Sequence, residues 1–181
     1  MNLAVVVSGA PGAGKTTVAV PLAAALGLPL LSKDVIKEQL YDSLPTPPPG
    51  ENPLLWSRKI GGAGMDLLWT LAAYSPRVVL EAPFRPHSEY ERARLAGLHR
   101  PLIEVHCACP ADIAAQRYAD RSKTPERHRG AHPMTELPAE FFAQFDWPLG
   151  LDQVVTVNTS AFVDHSGVAR KVVEAMTAIA G

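Results

Sequence analysis

The sequence predicts an α/β fold, a five-stranded parallel sheet covered by helices on both faces. Short apolar runs of four to six residues recur along the chain, and each is followed by a segment with helical apolar spacing. Strands buried on both faces read as such continuous runs, because neither face meets water. Composition agrees: 181 residues, 47% hydrophobic and 19% charged, suffice for one domain over 1–181 with a proper core.

Each element has its own local reason. Leu3–Val7 is apolar and β-branched and is ended by Ser-Gly, which marks the first strand. Lys15–Leu26 places Val18, Leu22, Ala25 and Leu26 on one face of a helix, and Gly27 stops it. Pro29–Ser32 is a second brief strand. Residues 33–44 form a helix with Val35, Ile36, Leu40 and Leu44 to one side. The stretch PTPPPGENP, residues 45–53, cannot be a helix interior or a central strand, so it is a stiff, exposed connection. A helix over Leu54–Ala73 follows, with GGAG at 61–64 weakening its middle.

Two further strand–helix pairs come next, Val78–Ala82 with Ser88–His99 and Leu102–Cys107 with Ala111–Arg121. Residues 122–138 are polar and basic and carry three prolines without a period. Val154–Val157 is the last strand and Val163–Ala180 a closing amphipathic helix. In such a sheet ligands sit beyond the carboxyl ends of the strands. Those ends are Ser8–Thr17, Ser32–Lys37, Glu81–Arg85, Cys107–Pro110 and Asn158–Ser160.

The net charge of −1 gives no general attraction to nucleic acid or to an anionic membrane. No run approaches the roughly 20 apolar residues of a membrane span, and the N-terminus lacks a basic leader region. Cys107 and Cys109 have no further ligands nearby at metal spacing and sit in an apolar run, so they are read as free thiols rather than a disulfide. A cytoplasmic protein is expected.

The segment SGAPGAGKTT carries the most specific signal. Gly9, four residues, then Gly14, Lys15 and Thr16 fit G-x-x-x-x-G-K-[ST], between a buried strand and a helix as the motif requires. Its expected phosphate-binding residues are Gly9, Ala10, Pro11, Gly12, Ala13, Gly14, Lys15, Thr16 and Thr17. Backbone N–H groups and the positive helix end face the phosphates. Lys15 reaches the β- and γ-phosphates, and the Thr16 hydroxyl takes Mg²⁺. After the second strand, SKDVIK sets Asp34 in the first turn of a helix, with Lys37 one turn on. A carboxylate there can accept the proton of a hydroxyl attacking the γ-phosphate, and Lys37 can hold an anionic group of the acceptor.

GAPGAGKTT, SKDVIK, VVLEAPF and an Arg-rich segment together resemble the small P-loop kinases related to polynucleotide 5′-hydroxyl kinase, zeta toxins and chloramphenicol phosphotransferase. The resemblance runs through most of the chain, to a broad bacterial branch of predicted kinases, and only the glycine loop in it is highly specific. It implies a P-loop three-layer sandwich with a small Arg-rich lid over about 121–138 and an acceptor-side segment over about 34–73. It also implies Asp34 as general base and the basic residue after it as acceptor ligand. Polynucleotide kinases tend to carry arginine where Lys37 stands, and lysine lacks the bidentate fork for phosphate, which speaks against a polynucleotide acceptor.

Glu81 closes its strand where an acidic residue orients water on Mg²⁺ in many P-loop proteins. Arg85 on the following loop, and Trp56 and Arg58 after the proline-rich connection, are expected to line the acceptor pocket. In the lid, Arg121 and Arg127 are expected to neutralise the transferring phosphoryl group, with Arg117 one turn earlier facing the nucleotide. His128 and His132 are lid polar groups.

The function expected is ATP-dependent phosphotransfer to a hydroxyl of a small-molecule acceptor, with ATP and Mg²⁺ as cofactors and neither a membrane nor a long nucleic acid as partner. A nucleotide-dependent regulatory ATPase and a 5′-hydroxyl nucleic-acid end kinase are the alternatives. No guanine-selecting N-K-x-D motif is present, which favours ATP.

Overall fold

Every residue of the first strand, β1 (Leu3–Ser8), is buried, and that follows from its place at the centre of the sheet. The computed structural model describes residues 2–44 and 47–180; Pro45 and Thr46, which open the expected proline-rich connection, lie outside the described residues. The other strands are β2 (Leu30–Ser32), β3 (Arg77–Glu81), β4 (Leu102–Ala108) and β5 (Gln153–Asn158). All pair in parallel, in the order β2-β3-β1-β4-β5. Val5 stands between Val79 on one side and Ile103 on the other.

The helices are α1 (Lys15–Leu26), α2 (Lys33–Ser43), α3 (Pro53–Tyr74), α4 (Glu89–Ala96), α5 (Ala111–Ser122), α6 (Ala139–Ala143) and α7 (His165–Ala180). Alternation along β1 sorts them into two layers. Leu3, Val5 and Val7 point into a core shared with Val18 and Leu22 of α1 and Val168 and Val172 of α7. Ala4 and Val6 point the other way, onto Leu68 and Trp69 of α3 and Leu95 of α4. A fully buried valine or leucine contributes roughly 1.5–3 kcal/mol, so the central strand alone anchors both layers.

Three details depart from the sequence reading. α4 is shorter than Ser88–His99, because Ser88 is the cap whose Oγ accepts from Glu91 N at 3.3 Å. α7 starts at His165 rather than Val163, since Asp164 Oδ1 accepts from Gly167 N at 3.0 Å. The short α6 was not expected, being too brief for a periodic signal; its Phe142 fills the first core. Helix α3 runs unbroken through 61–64, and Gly61 and Gly64 face Lys37 of α2 across the α2–α3 contact.

Candidate functional site

The connection from β1 runs to the β2 side and that from β4 to the β5 side, which makes the β1/β4 boundary the switch point of the sheet. The glycine loop lies on that boundary. Gly9, Gly12 and Gly14 have φ of 133°, 81° and 80°, the left-handed region open to glycine. A Cβ on Gly9 would stand 2.7 Å from the Cys107 carbonyl oxygen of β4. One on Gly12 would fall inside 3.0 Å of the Ala114 carbonyl oxygen of α5. The loop is therefore pressed onto β4 and α5, and glycine is required for that contact.

Beside the loop opens a cavity of about 890 Å³. Lys15, Thr16, Asp34, Glu81, Arg121 and Arg127 all line it, although they come from three separate strand ends and the lid. Lys15 Nζ donates to the Ala10 carbonyl at 2.8 Å, and burial lowers its pKa against the opposing pull of Glu81 and Asp34. Glu81 is buried and accepts from Ser32 Oγ at 2.5 Å, which fixes its carboxylate. Asp34 Oδ1 sits 3.2 Å from Lys33 Nζ. Partial burial would raise the Asp34 pKa, but Lys33, His132 and Lys15 together outweigh it and hold it well below the usual carboxylate range. Asp34 is thus ionised at any working pH.

The lid is fastened onto α2. His128 Nε2 is 2.8 Å from Asp42 Oδ1, and His132 Nε2 is 2.8 Å from Glu38 Oε1. His128 Nδ1 accepts from Ala131 N at 2.9 Å, so its proton resides on Nε2 and is donated to Asp42. Both histidines tie residues 128–132 to α2. Arg127 is buried beneath this clasp, its guanidinium 5.5 Å from the Tyr118 ring centroid. Burial lowers the Arg127 pKa without discharging it. Burial pushes His132 down to about 3, aided by Arg127, Lys37 and Lys33 and opposed by Asp34, so it is neutral and donates to Glu38.

Not every expected residue reaches the cavity. Arg58, Arg117 and Arg121 line it. Arg117 Nη1 and Nη2 donate to the Thr159 and Ser160 carbonyls at 2.8 and 3.1 Å, tying α5 to the loop after β5. Lys37 does not line it: its ammonium is buried and donates to Ser57 Oγ at 2.8 Å, and Ser57 Oγ donates to the Ala131 carbonyl at 2.6 Å. Burial holds the Lys37 pKa at about 8, and the residue links α2, α3 and the lid. Arg85 turns to Glu91, with Nη2 3.1 Å from Oε1, and Trp56 is likewise outside the lining. Sequence spacing put these three residues near the site, but helix packing and one ion pair direct them elsewhere.

Two groups of lining residues escaped the sequence reading. Lys33 had adjacency to Asp34 as its only signal. The apolar wall of Met134, Leu137, Phe141 and Phe162 comes from segments without period, which only the closed fold brings together. Mg²⁺ fits the donors present, since Thr16 and Glu81 offer hard oxygens on one cavity.

Residues 5–137 match a protein family described as an AAA domain. The chain belongs to that family. The match spans the glycine loop, Asp34, Glu81 and the basic lid. Among solved structures, a candidate kinase from Chloroflexus aurantiacus is 28% identical with a TM-score of 0.81, covering 96% of this chain and 97% of its own. A shikimate kinase from Acinetobacter baumannii is 16% identical with a TM-score of 0.58, covering 97% and 93%. A gluconokinase from Sinorhizobium meliloti is 17% identical with a TM-score of 0.51, covering 93% and 87%. No curated protein matches the sequence. The fold is that of the P-loop kinases. No helix among the described residues is long and apolar enough to cross a membrane.

Proposed function

We propose that this protein is an ATP-dependent phosphotransferase that moves the γ-phosphoryl group of ATP to a hydroxyl of a small molecule. The observation that carries this reading is the convergence of Lys15, Asp34, Glu81, Arg121 and Arg127 on one cavity beneath a lid fastened onto α2. A loop built only to bind a nucleotide would need no ionised carboxylate beside Lys15. The shikimate kinase and gluconokinase of the same fold are, by name, kinases of small molecules.

In the reaction the acceptor oxygen forms a bond to the γ-phosphorus, and the bond from that phosphorus to the β,γ-bridging oxygen breaks, releasing ADP. Asp34 holds the acceptor hydroxyl by accepting its hydrogen bond. A carboxylate of such low pKa takes the proton late, once the oxygen is bonded to phosphorus and has become acidic. That order suits the loose transition state of phosphoryl transfer, which asks little of a base before the bond forms. Lys15 and the lid arginines Arg121 and Arg127 neutralise the charge spread over the equatorial oxygens. Thr16 and Glu81 would hold Mg²⁺, which neutralises charge on the phosphate oxygens. The lid excludes water, the competing acceptor.

Asp34→Asn tests the assignment. Acceptor-dependent ADP release should drop by about 10²–10⁴-fold while ATP still binds. Undiminished transfer would remove Asp34 as the base. If no hydroxyl compound raised ADP release above the rate with ATP alone, the regulatory-ATPase reading would replace this one.

A further inference from the structure

We infer that Lys37 and Ser57 are positioning residues that set the lid arginine Arg127 over the transferring phosphoryl group, acting through the Ala131 carbonyl; this rests on the role given to Arg127 above. Lys37 stands where the resemblance to small kinases implies an acceptor ligand, yet it is buried and does not line the cavity. Its side chain fills a slot that two glycines leave open on α3. A Cβ on Gly61 would lie 3.5 Å from Lys37 Cε, and one on Gly64 would lie 3.5 Å from Lys37 Cα.

The hydrogen bonds that leave this slot run in one direction. Ser57 Oγ carries a single proton, and at 2.6 Å that proton goes to the Ala131 carbonyl. The hydroxyl can therefore only accept from Lys37 Nζ, 2.8 Å away. Lys37, Ser57 and Ala131 are 7%, 3% and 0% exposed, so water does not compete for either bond. In such surroundings a charged donor polarises the hydroxyl and strengthens its bond to the lid.

Ala131 belongs to a turn that its own bonds hold together. Arg127 N donates to the Thr124 carbonyl at 3.3 Å and His132 N to the His128 carbonyl at 2.9 Å. Ala131 N donates to His128 Nδ1 at 2.9 Å. The place of Ala131 thus fixes where Arg127 leaves the backbone, and the Tyr118 ring then guides its guanidinium. The ties of this turn to α2 end on Asp42 and Glu38, whose side chains are 63% and 35% exposed and compete with water. The tie to α3 is the buried one. A misplacement of about 1 Å can cost up to about 10²-fold in rate, so a firm seat for Arg127 has a kinetic consequence.

Transfer to water provides the test, since Arg127 acts on the γ-phosphoryl group whatever attacks it. Single-turnover phosphate release from ATP with Mg²⁺, and no hydroxyl acceptor, is measured for Ser57→Ala, Lys37→Met and Arg127→Ala. Ser57→Ala and Lys37→Met should each slow release by about tenfold or more, with the Kd for ATP changed by less than about twofold. In an Arg127→Ala background, Ser57→Ala should add less than about twofold. Hydrogen exchange should quicken at residues 127–132 of Ser57→Ala and stay unchanged in β1. Ser57→Ala keeps the measurement possible should Lys37→Met fail to fold. Undiminished release in Ser57→Ala overturns the inference. So does a tenfold loss added to Arg127→Ala, which a general structural role would give. Normal release in Lys37→Met with a raised KM for a hydroxyl acceptor would return Lys37 to the acceptor and overturn it as well. If Arg127→Ala itself releases phosphate at the wild-type rate, the role of Arg127 fails and this inference with it. The phosphotransferase reading is decided separately, by whether a hydroxyl compound raises ADP release, so the two failures are told apart.

Discussion

Replacing Gly12 by alanine should damage the fold itself, before any ligand is considered. Gly12 and Gly14 have nearly the same backbone, φ of 81° and 80°, so an L-residue pays the same left-handed penalty at both, about 1–2 kcal/mol. Their surroundings differ. A Cβ on Gly14 meets only Thr159 Cβ at 3.7 Å, an ordinary contact. A Cβ on Gly12 falls inside 3.0 Å of the Ala114 carbonyl oxygen and 3.1 Å from Ala114 C and Tyr118 N. These are helix backbone atoms, which cannot rotate aside, so α5 must move off the loop. Overpacking of this kind adds about 1–3 kcal/mol, giving about 2–5 kcal/mol for Gly12→Ala. For a chain of this size that lowers Tm by roughly 4–20 °C, against roughly 2–8 °C for Gly14→Ala. Urea and thermal unfolding without nucleotide measure both. Equal destabilisation by the two variants would refute the argument, because it would mean that the α5 contact exerts no steric demand.

Two further outcomes follow from the same geometry. His132 is neutral when folded, with its pKa near 3, and titrates near 6.5 when unfolded, so the unfolded chain binds more protons between those values. Its contribution is complete above about pH 6.5 and declines at up to about 1.4 kcal/mol per pH unit as pH falls toward 3. His132→Gln should flatten the acid side of a pH–stability profile, and an unchanged slope would assign the acid sensitivity elsewhere. Gly62 has nothing within 4 Å of where its Cβ would lie, so Gly62→Ala should raise stability by about 1 kcal/mol in urea unfolding. A loss of stability there would show that α3 needs the glycine.

Among the described residues, all five strands and six of the seven helices could be read from the chain, because each depends on local chemistry. Continuous apolar runs become parallel strands, and Gly27, Pro53 and Ser88 mark helix ends wherever they are placed. The glycine loop was legible for the same reason, being contiguous, and so was Asp34, which follows a strand end by two residues. Residues whose roles depend on a neighbour distant in sequence were not legible. Spacing put Lys37, Arg85 and Trp56 at the acceptor, but Ser57 and Glu91 hold the first two, and none of the three lines the cavity. The clasp of His128 and His132 onto α2 joins residues some ninety positions apart, and the apolar wall joins Met134 to Phe162 across two separate segments. By itself, then, the sequence determined an α/β domain with a glycine loop after its first strand and an acidic residue two positions after its second. Only the tertiary structure decided which cations line the cavity and which, like Lys37, are held away from it, because the pairing of a side chain is set by what folds against it.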